Sequence, residues 1–155
     1  MEQWIEQYAA GPAKLREAVS GLSPQLMTFV PSPGAWSIHE IAVHVCDTEI
    51  VAVHRMKKAI AESNPLVLGF DQDEWARRLD YKSEDLELNL AVMESLRAAM
   101  TETLRRVKPE DWERTVVHNE AGKLTLRDLL IKFVTHVDVH LKQIERNKSL
   151  YAAGG

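Results

Sequence analysis

The chain has 155 residues, of which 45% are hydrophobic and 27% charged, enough apolar material for one compact domain with a sizeable core. Its net charge of −4, with acidic and basic residues interleaved, argues against nucleic-acid binding. The single cysteine excludes an internal disulfide and a thiolate metal cluster. We expect one domain over residues 1–150, followed by a short tail at 151–155.

Export and membrane insertion are not predicted. The first four residues are polar and acidic with no apolar run behind them, and no stretch approaches the ~20 apolar residues that cross a bilayer. Because Cys46 is the only thiol, a reducing cytoplasm is the simplest expected location.

The first quarter of the chain is predicted to be one helix and a link. Apolar residues recur at helical spacing over residues 2 to about 20, with a kink or restart expected at Gly11-Pro12. A segment rich in Pro, Gly and Ser follows at residues 23–34 and breaks the chain.

A second helix is predicted from a start signal. Ser37 and Glu40 have the spacing of a capping box, so the helix should begin there and continue to about residue 62. Residues 65–82 have a mixed pattern, with one short helical turn expected around 73–79.

Two more helices and a hairpin complete the prediction. An apolar stripe predicts a third helix over residues 84–107, stopped by Pro109. Residues 115–118 and 123–124 have the pattern of a small hairpin. Thr125 and Asp128 cap a fourth helix that reaches about residue 147. Four long amphipathic helices predict an all-α four-helix bundle.

Three histidines fall on the inner faces of the second and fourth helices. His140 lies near the centre of the apolar face of the fourth helix, and His136, one turn earlier, lies on its flank. His44 occupies the flank of the second helix, with Thr48 one turn further along the same edge, whereas His39 and His54 project away.

Two interpretations of these histidines stay open from spacing alone. Each imidazole could be an ordinary core side chain that is hydrogen-bonded to a neighbour. Alternatively, the i, i+4 pair and His44 could reach one divalent ion, for which neutral imidazole is the commonest protein ligand.

The residues around the histidines resemble a known family. The run from Trp36-Ser37 through His44 to Glu49 is similar to the N-terminal signature of the DinB-like (DinB/YfiT) metal-binding helical bundles. The run from His136 through His140 to Gln143-Ile144 resembles their C-terminal signature, and the likeness extends over most of the chain. The resemblance implies a four-helix bundle, often dimeric, in which His44, His136 and His140 hold one divalent ion, nickel or zinc.

Other candidate residues are interpreted structurally. Glu49 faces the apolar side of its helix, where it could support a metal site as a hydrogen-bonding partner or base, but one half of a buried ion pair is favoured. Asp47 is expected to be a solvated surface carboxylate, Cys46 a small side chain that is packed or partly exposed, and Trp36 a residue that seals the bundle end.

A three-histidine ion supports more than one function. It could activate water, as in a metal-dependent hydrolase, or the thiolate of a low-molecular-weight thiol such as bacillithiol or mycothiol, as in the S-transferases of the resembling family. A bundle stapled by the metal, or one that only binds a small molecule, is the non-catalytic alternative. In each enzyme the partner is a small-molecule substrate, and the assembly implied by the family is a homodimer.

Overall fold

The computed structural model describes residues 1–154. Its helices are, in chain order, α1 (Glu2–Val19), α2 (Pro24–Thr28), α3 (Ile38–Ala61), α4 (Gln72–Arg78), α5 (Leu86–Leu104) and α6 (Leu126–Gly154). α1 and α3 each pack against both α5 and α6, so they stand across the bundle from one another. The predicted all-α four-helix bundle is confirmed. Within the described residues, no helix has the length and apolar character needed to cross a bilayer.

Two of the long helices begin at the predicted caps. The hydroxyl of Ser37 accepts the amide of Glu40 at 3.3 Å, and the Glu40 carboxylate accepts the amide of Ser37 at 2.9 Å, which completes the capping box of α3. Thr125 and Asp128 form the same reciprocal pair at the start of α6. α6 then continues through Gly154, beyond its predicted end, and carries most of the expected tail.

α1 passes through Gly11 and Pro12 as one helix, where the sequence predicted a kink or restart. Both residues are buried. A Cβ atom on Gly11 would lie 2.0 Å from Nη1 of Arg97, so the guanidinium of α5 occupies the space that a larger side chain would need. The carbonyl of Tyr8, four residues before Pro12, lacks a backbone donor there and accepts from Nη1 of Arg97 at 2.8 Å instead.

A small sheet covers one side of the bundle. Its strands are β1 (Leu66–Val67), β2 (Thr115–His118) and β3 (Gly122–Thr125). β2 and β3 are antiparallel and form the predicted hairpin, whereas β1, which was not predicted, pairs in parallel with β2 so that Val67 lies opposite His118. Because β2 packs against α3, His118 is placed beside that helix.

The predicted core faces are buried. On α3 and α6 the inward apolar side chains are inaccessible to solvent, apart from a half-buried Leu141. They are Ile38, Ile41, Val45, Ala52, Met56 and Ala59 on α3, and Leu126, Leu129, Leu130, Phe133, Val137 and Ile144 on α6. The contact between these two faces sets the geometry of the histidines.

Candidate metal centre

The contact of α3 with α6 brings the three predicted histidines together. Nε2 of His44 lies 3.2 Å from Nε2 of His136, although 92 residues separate them in sequence. Nε2 of His140 lies 3.1 Å from the same atom of His136. The potential ligand atoms of all three side chains lie within 4.8 Å of one another.

These distances fit the donor set of a divalent ion. Two nitrogens bound to one tetrahedral ion at ~2.0 to 2.1 Å stand about 3.3 Å apart, close to the two distances observed here. Hydrogen bonds among neutral imidazoles explain the arrangement less well, because Nε2 of His136 faces two other ring nitrogens. In addition, the buried Nδ1 of His44 has no partner among residues 1–154.

The imidazoles are held in the neutral form that binds metals. Burial, followed by the nearby His140, lowers the pKa of His44 to about 3. Burial and the neighbouring His140 and His44 lower the pKa of His136 to about 3 as well. Burial also lowers the pKa of His140, against an opposing hydrogen bond with Gln143. All three rings therefore present lone pairs at neutral pH.

Gln143 orients one of the rings. Nδ1 of His140 lies 2.8 Å from Oε1 of Gln143, one turn further along α6. Since the amide oxygen only accepts, the proton of His140 stays on Nδ1 and the lone pair of Nε2 faces the cluster.

Aromatic rings close one side of the cluster. The ring centroid of Trp36 lies 4.9 Å from that of His44, and the ring centroid of Phe70 lies 6.4 Å from it. Nδ2 of Asn147 donates to the carbonyl of Trp36 at 3.0 Å, which ties the start of α3 to the end of α6. Trp36 therefore packs at the bundle end, as expected, and also restricts the imidazole of His44.

Glu49 is one half of the buried ion pair that the sequence favoured. Its Oε2 accepts from Nε of Arg97 at 2.7 Å, with both side chains only 2% exposed, and its Oε1 accepts from the hydroxyl of Tyr8. The other nitrogens of Arg97 donate to the carbonyls of Tyr8 and Phe133. Both carboxylate oxygens are thus committed to Tyr8 and Arg97.

Neighbouring candidates lie outside the cluster. Nε2 of His39 faces the carbonyl of Glu84 at 3.1 Å. Cys46 is buried, and burial raises its pKa to about 12, consistent with a packed thiol. The expectation that Asp47 is solvated was wrong: it is half-buried and accepts from the hydroxyl of Tyr81 at 2.7 Å. Tyr81, which follows α4, folds back over α3 and covers this carboxylate.

A cavity of about 200 Å³ opens beside His44 and His136. Most of its lining residues carry polar side chains. Besides the two histidines, Gly69, Phe70 and Phe133, it consists of Thr48, Arg55, Gln72, His118, Glu120 and Lys132. The histidine cluster therefore borders a space that a small polar molecule can enter.

Comparison with known proteins shows the family of the chain. The family model of the DinB superfamily matches residues 7–144. The chain belongs to the DinB superfamily. A relative from Oceanobacillus iheyensis, named "Putative metal-dependent hydrolase OB0782", is 29% identical over 93% of this chain and 83% of its own length.

Solved structures share the fold of this DinB protein. The structure of YfiT from Bacillus subtilis, described as "a probable metal-dependent hydrolase with an unusual four-helix bundle topology", superimposes with a TM-score of 0.91. It is 24% identical in sequence, with 97% of this chain and 87% of YfiT covered. A mycothiol-dependent maleylpyruvate isomerase matches with a TM-score of 0.71 at 14% identity, over 92% of this chain and 60% of its own.

Sequence reasoning missed three polar residues at the site of this DinB protein: Arg55, His118 and Lys132. Arg55 lies about three helical turns after His44 on the edge that also carries Thr48, so helical spacing offered a usable signal. His118 comes from the hairpin, and no local pattern links that hairpin to α3. Lys132 precedes His136 by one turn and resembles any surface lysine.

Proposed function

We propose that the chain is a metal-dependent hydrolase whose one divalent ion, nickel or zinc, is held by His44, His136 and His140. The observation that carries the proposal is the convergence of three neutral imidazoles at the edge of a polar cavity. Within the described residues the candidate ligand group has three members. Structural zinc sites use four protein ligands, whereas catalytic sites use three and keep a position open.

Residues around the proposed ion support its use in catalysis. When bound, such an ion supplies Lewis acidity that makes a water or a thiol nucleophilic near neutral pH. Neutral histidines leave the charge of the ion uncompensated, and Gln143 fixes the orientation of His140. The polar side chains that line the cavity can hydrogen-bond water, which supports hydrolysis of an ester, amide or similar bond over attack by a thiol.

Transfer of a low-molecular-weight thiol such as bacillithiol or mycothiol is the second candidate. It is supported by the fold shared with the mycothiol-dependent isomerase. The non-catalytic alternative is a bundle in which the metal ion has only a structural role, or one that binds a small molecule without reaction. We retain this alternative because Glu49, the acidic residue that faces inward one turn after His44, is paired with Arg97 and is therefore not available as a general base.

Metal analysis of the purified protein tests the ligand set. Wild-type protein and His54→Ala, a variant at an exposed histidine of α3, should each hold about one ion per chain. His140→Ala should hold less than about a tenth of that, because it lacks one of three ligands. A full equivalent of metal in His140→Ala would contradict the three-histidine site.

Activity assays separate the three functions. We expect chelator-sensitive turnover of a panel of esters and amides without added thiol. Turnover of electrophiles that requires bacillithiol or mycothiol would assign the transferase instead, and chelator-insensitive turnover would contradict both. A full complement of metal without any turnover would favour the non-catalytic alternative.

We also propose that the protein is a homodimer and that it is located in the cytoplasm. Light scattering of the purified chain tests the first, and fractionation of cells tests the second. A monomeric mass at micromolar concentration would contradict the proposed dimer.

A further inference from the structure

The cavity beside the histidines has a second group of polar side chains. Thr48 and Arg55 come from α3, His118 from β2 and Lys132 from α6. None of them belongs to the candidate metal ligands. Their hydrogen bonds and charges define what the far side of the cavity can bind.

Arg55 is a buried cation with an incomplete set of partners. The residue is 5% exposed, and its Nη2 donates to the carbonyl of Leu68. Its Nε finds no acceptor among residues 1–154, and Oγ1 of Thr48, which is also 5% exposed, finds no partner there either. Buried polar groups in native proteins are normally satisfied, so these two require a partner from outside the chain.

His118 adds a neutral donor. Its Nδ1 accepts the amides of Glu120 and Ala121 at 3.2 and 3.3 Å, so the ring proton resides on Nε2. Burial and the nearby charges of Arg55 and Lys132 lower the pKa of His118, against an opposing effect of Glu120, which keeps the ring neutral. Its Nε2–H is therefore available to donate to an acceptor in the cavity.

The charges of the lining favour an anion. Arg55 and Lys132 are positive, and Glu120 is the acidic residue of the lining. In the part of the chain that the structure describes, Glu120 forms no salt bridge with Arg55, although its negative charge raises the pKa of Arg55 against the larger effect of burial. Its carboxylate instead lies against Gly69, where an added Cβ would be 2.7 Å from Oε2. The ion proposed at the histidines would add further positive charge.

We propose that Arg55, His118 and Lys132 form an oxyanion-binding subsite beside the three histidines. The substrate is then a small molecule with a carboxylate or phosphate group on the Arg55 side and its reacting bond on the histidine side. A volume of about 200 Å³ corresponds to about six or seven water molecules, which limits the size of the part that enters. The assignment of a substrate rests on the proposed hydrolase, but anion binding itself does not.

Calorimetric titration of the metal-loaded full chain tests the subsite. The probes are succinate, inorganic phosphate and the neutral analogue succinamide. We expect Arg55→Gln to weaken binding of the preferred anion about tenfold or more, since it removes a charge-assisted hydrogen bond. Lys132→Gln should weaken it about twofold to fivefold, and Glu120→Gln should tighten it by a similar factor. Arg106→Gln, at an exposed arginine that does not line the cavity, is the matched control and should bind the anion as tightly as wild type does.

The outcomes separate the two anion sources and the two proposals. Tighter binding of succinate assigns a carboxylate, and tighter binding of phosphate assigns a phosphate group. Equal affinity of Arg55→Gln and wild type for the preferred anion, or binding of succinamide as tight as that of the preferred anion, would overturn the subsite. If Arg55→Gln does not fold, the opposite shifts of Lys132→Gln and Glu120→Gln decide, and unchanged affinity in both overturns the proposal. Metal stoichiometry is measured on each variant, so failure of the histidine site is detected independently of anion binding.

Discussion

Two polar groups lie in the bundle core on the same helix, α3, and differ in how completely they are satisfied. Around Glu49 and Arg97, both carboxylate oxygens and all three guanidinium nitrogens have protein partners. Around His44, ring nitrogens of three neutral imidazoles face one another, and Nδ1 of His44 has no partner in residues 1–154. The ion pair, whose hydrogen bonds are all made within the protein, fixes how the helices pack. The three neutral histidines are instead suited to binding a ligand from outside the chain.

The largest effect on stability is expected from removing one partner of the buried ion pair between Glu49 and Arg97. Arg97→Met should lower the free energy of unfolding by about 3 to 5 kcal/mol, because it leaves the carboxylate of Glu49 buried without its cation. Urea unfolding of the metal-free protein measures this. The double variant Glu49→Leu/Arg97→Met should recover much of the loss, and equal destabilisation of single and double variants would contradict a charge effect.

A smaller effect is expected from removing the hydrogen bond that orients His140 in the histidine cluster. Gln143→Leu should weaken metal affinity about 10-fold to 100-fold, because His140 loses the acceptor that orients it. Competition with a chromogenic chelator measures the affinity, and Lys142→Gln on the neighbouring exposed position is the control. The stability of the metal-free protein should stay within about 0.5 kcal/mol of wild type. Unchanged affinity would show that Gln143 does not support the site.

A change of pH is expected to alter the stability of the metal-free protein. The pKa of His44 and of His136 is about 3 in the folded chain against 6.5 ordinarily, so the unfolded chain binds more protons between these values. The free energy of unfolding should therefore fall as pH decreases below 6.5, by about 1.4 kcal/mol per pH unit for each histidine. Well above the ordinary histidine pKa this contribution is constant.

Denaturant unfolding at several pH values between about 7 and about 5 measures this slope. A double variant, His44→Gln/His136→Gln, should lose most of the slope, whereas His54→Gln should keep it because His54 is exposed. Identical slopes in all three proteins would mean that the cluster histidines are not held neutral.

Features with local or periodic signals could be predicted from the sequence. The cap of Ser37 and Glu40 located α3, and helical spacing alone placed His44, His136 and His140 on inward faces. The hairpin before α6 followed from its alternating residues and turn. These features depend on neighbours within one or two turns.

Features that depend on distant partners were not predicted. Arg97 has the spacing of a core residue of α5, after Leu90 and Met93 and before Met100 and Leu104. Its charge nevertheless indicated an exposed position. It is buried because Glu49 and Tyr8, from two other helices, provide its partners. β1 has two residues and is defined only by its pairing with β2. The oxyanion subsite depends on side chains from three separate elements.

The order of the three histidines along the chain has a mechanical consequence. An ion shared by His44 and His136 would close a loop of 92 residues that contains the whole of α5. In the chain-entropy description of cross-links, closing a loop of ~100 residues is worth about 4.7 kcal/mol. The metal would then act as a reversible cross-link, and its removal would lower the free energy of unfolding of the whole bundle, including α5, which lies within the loop.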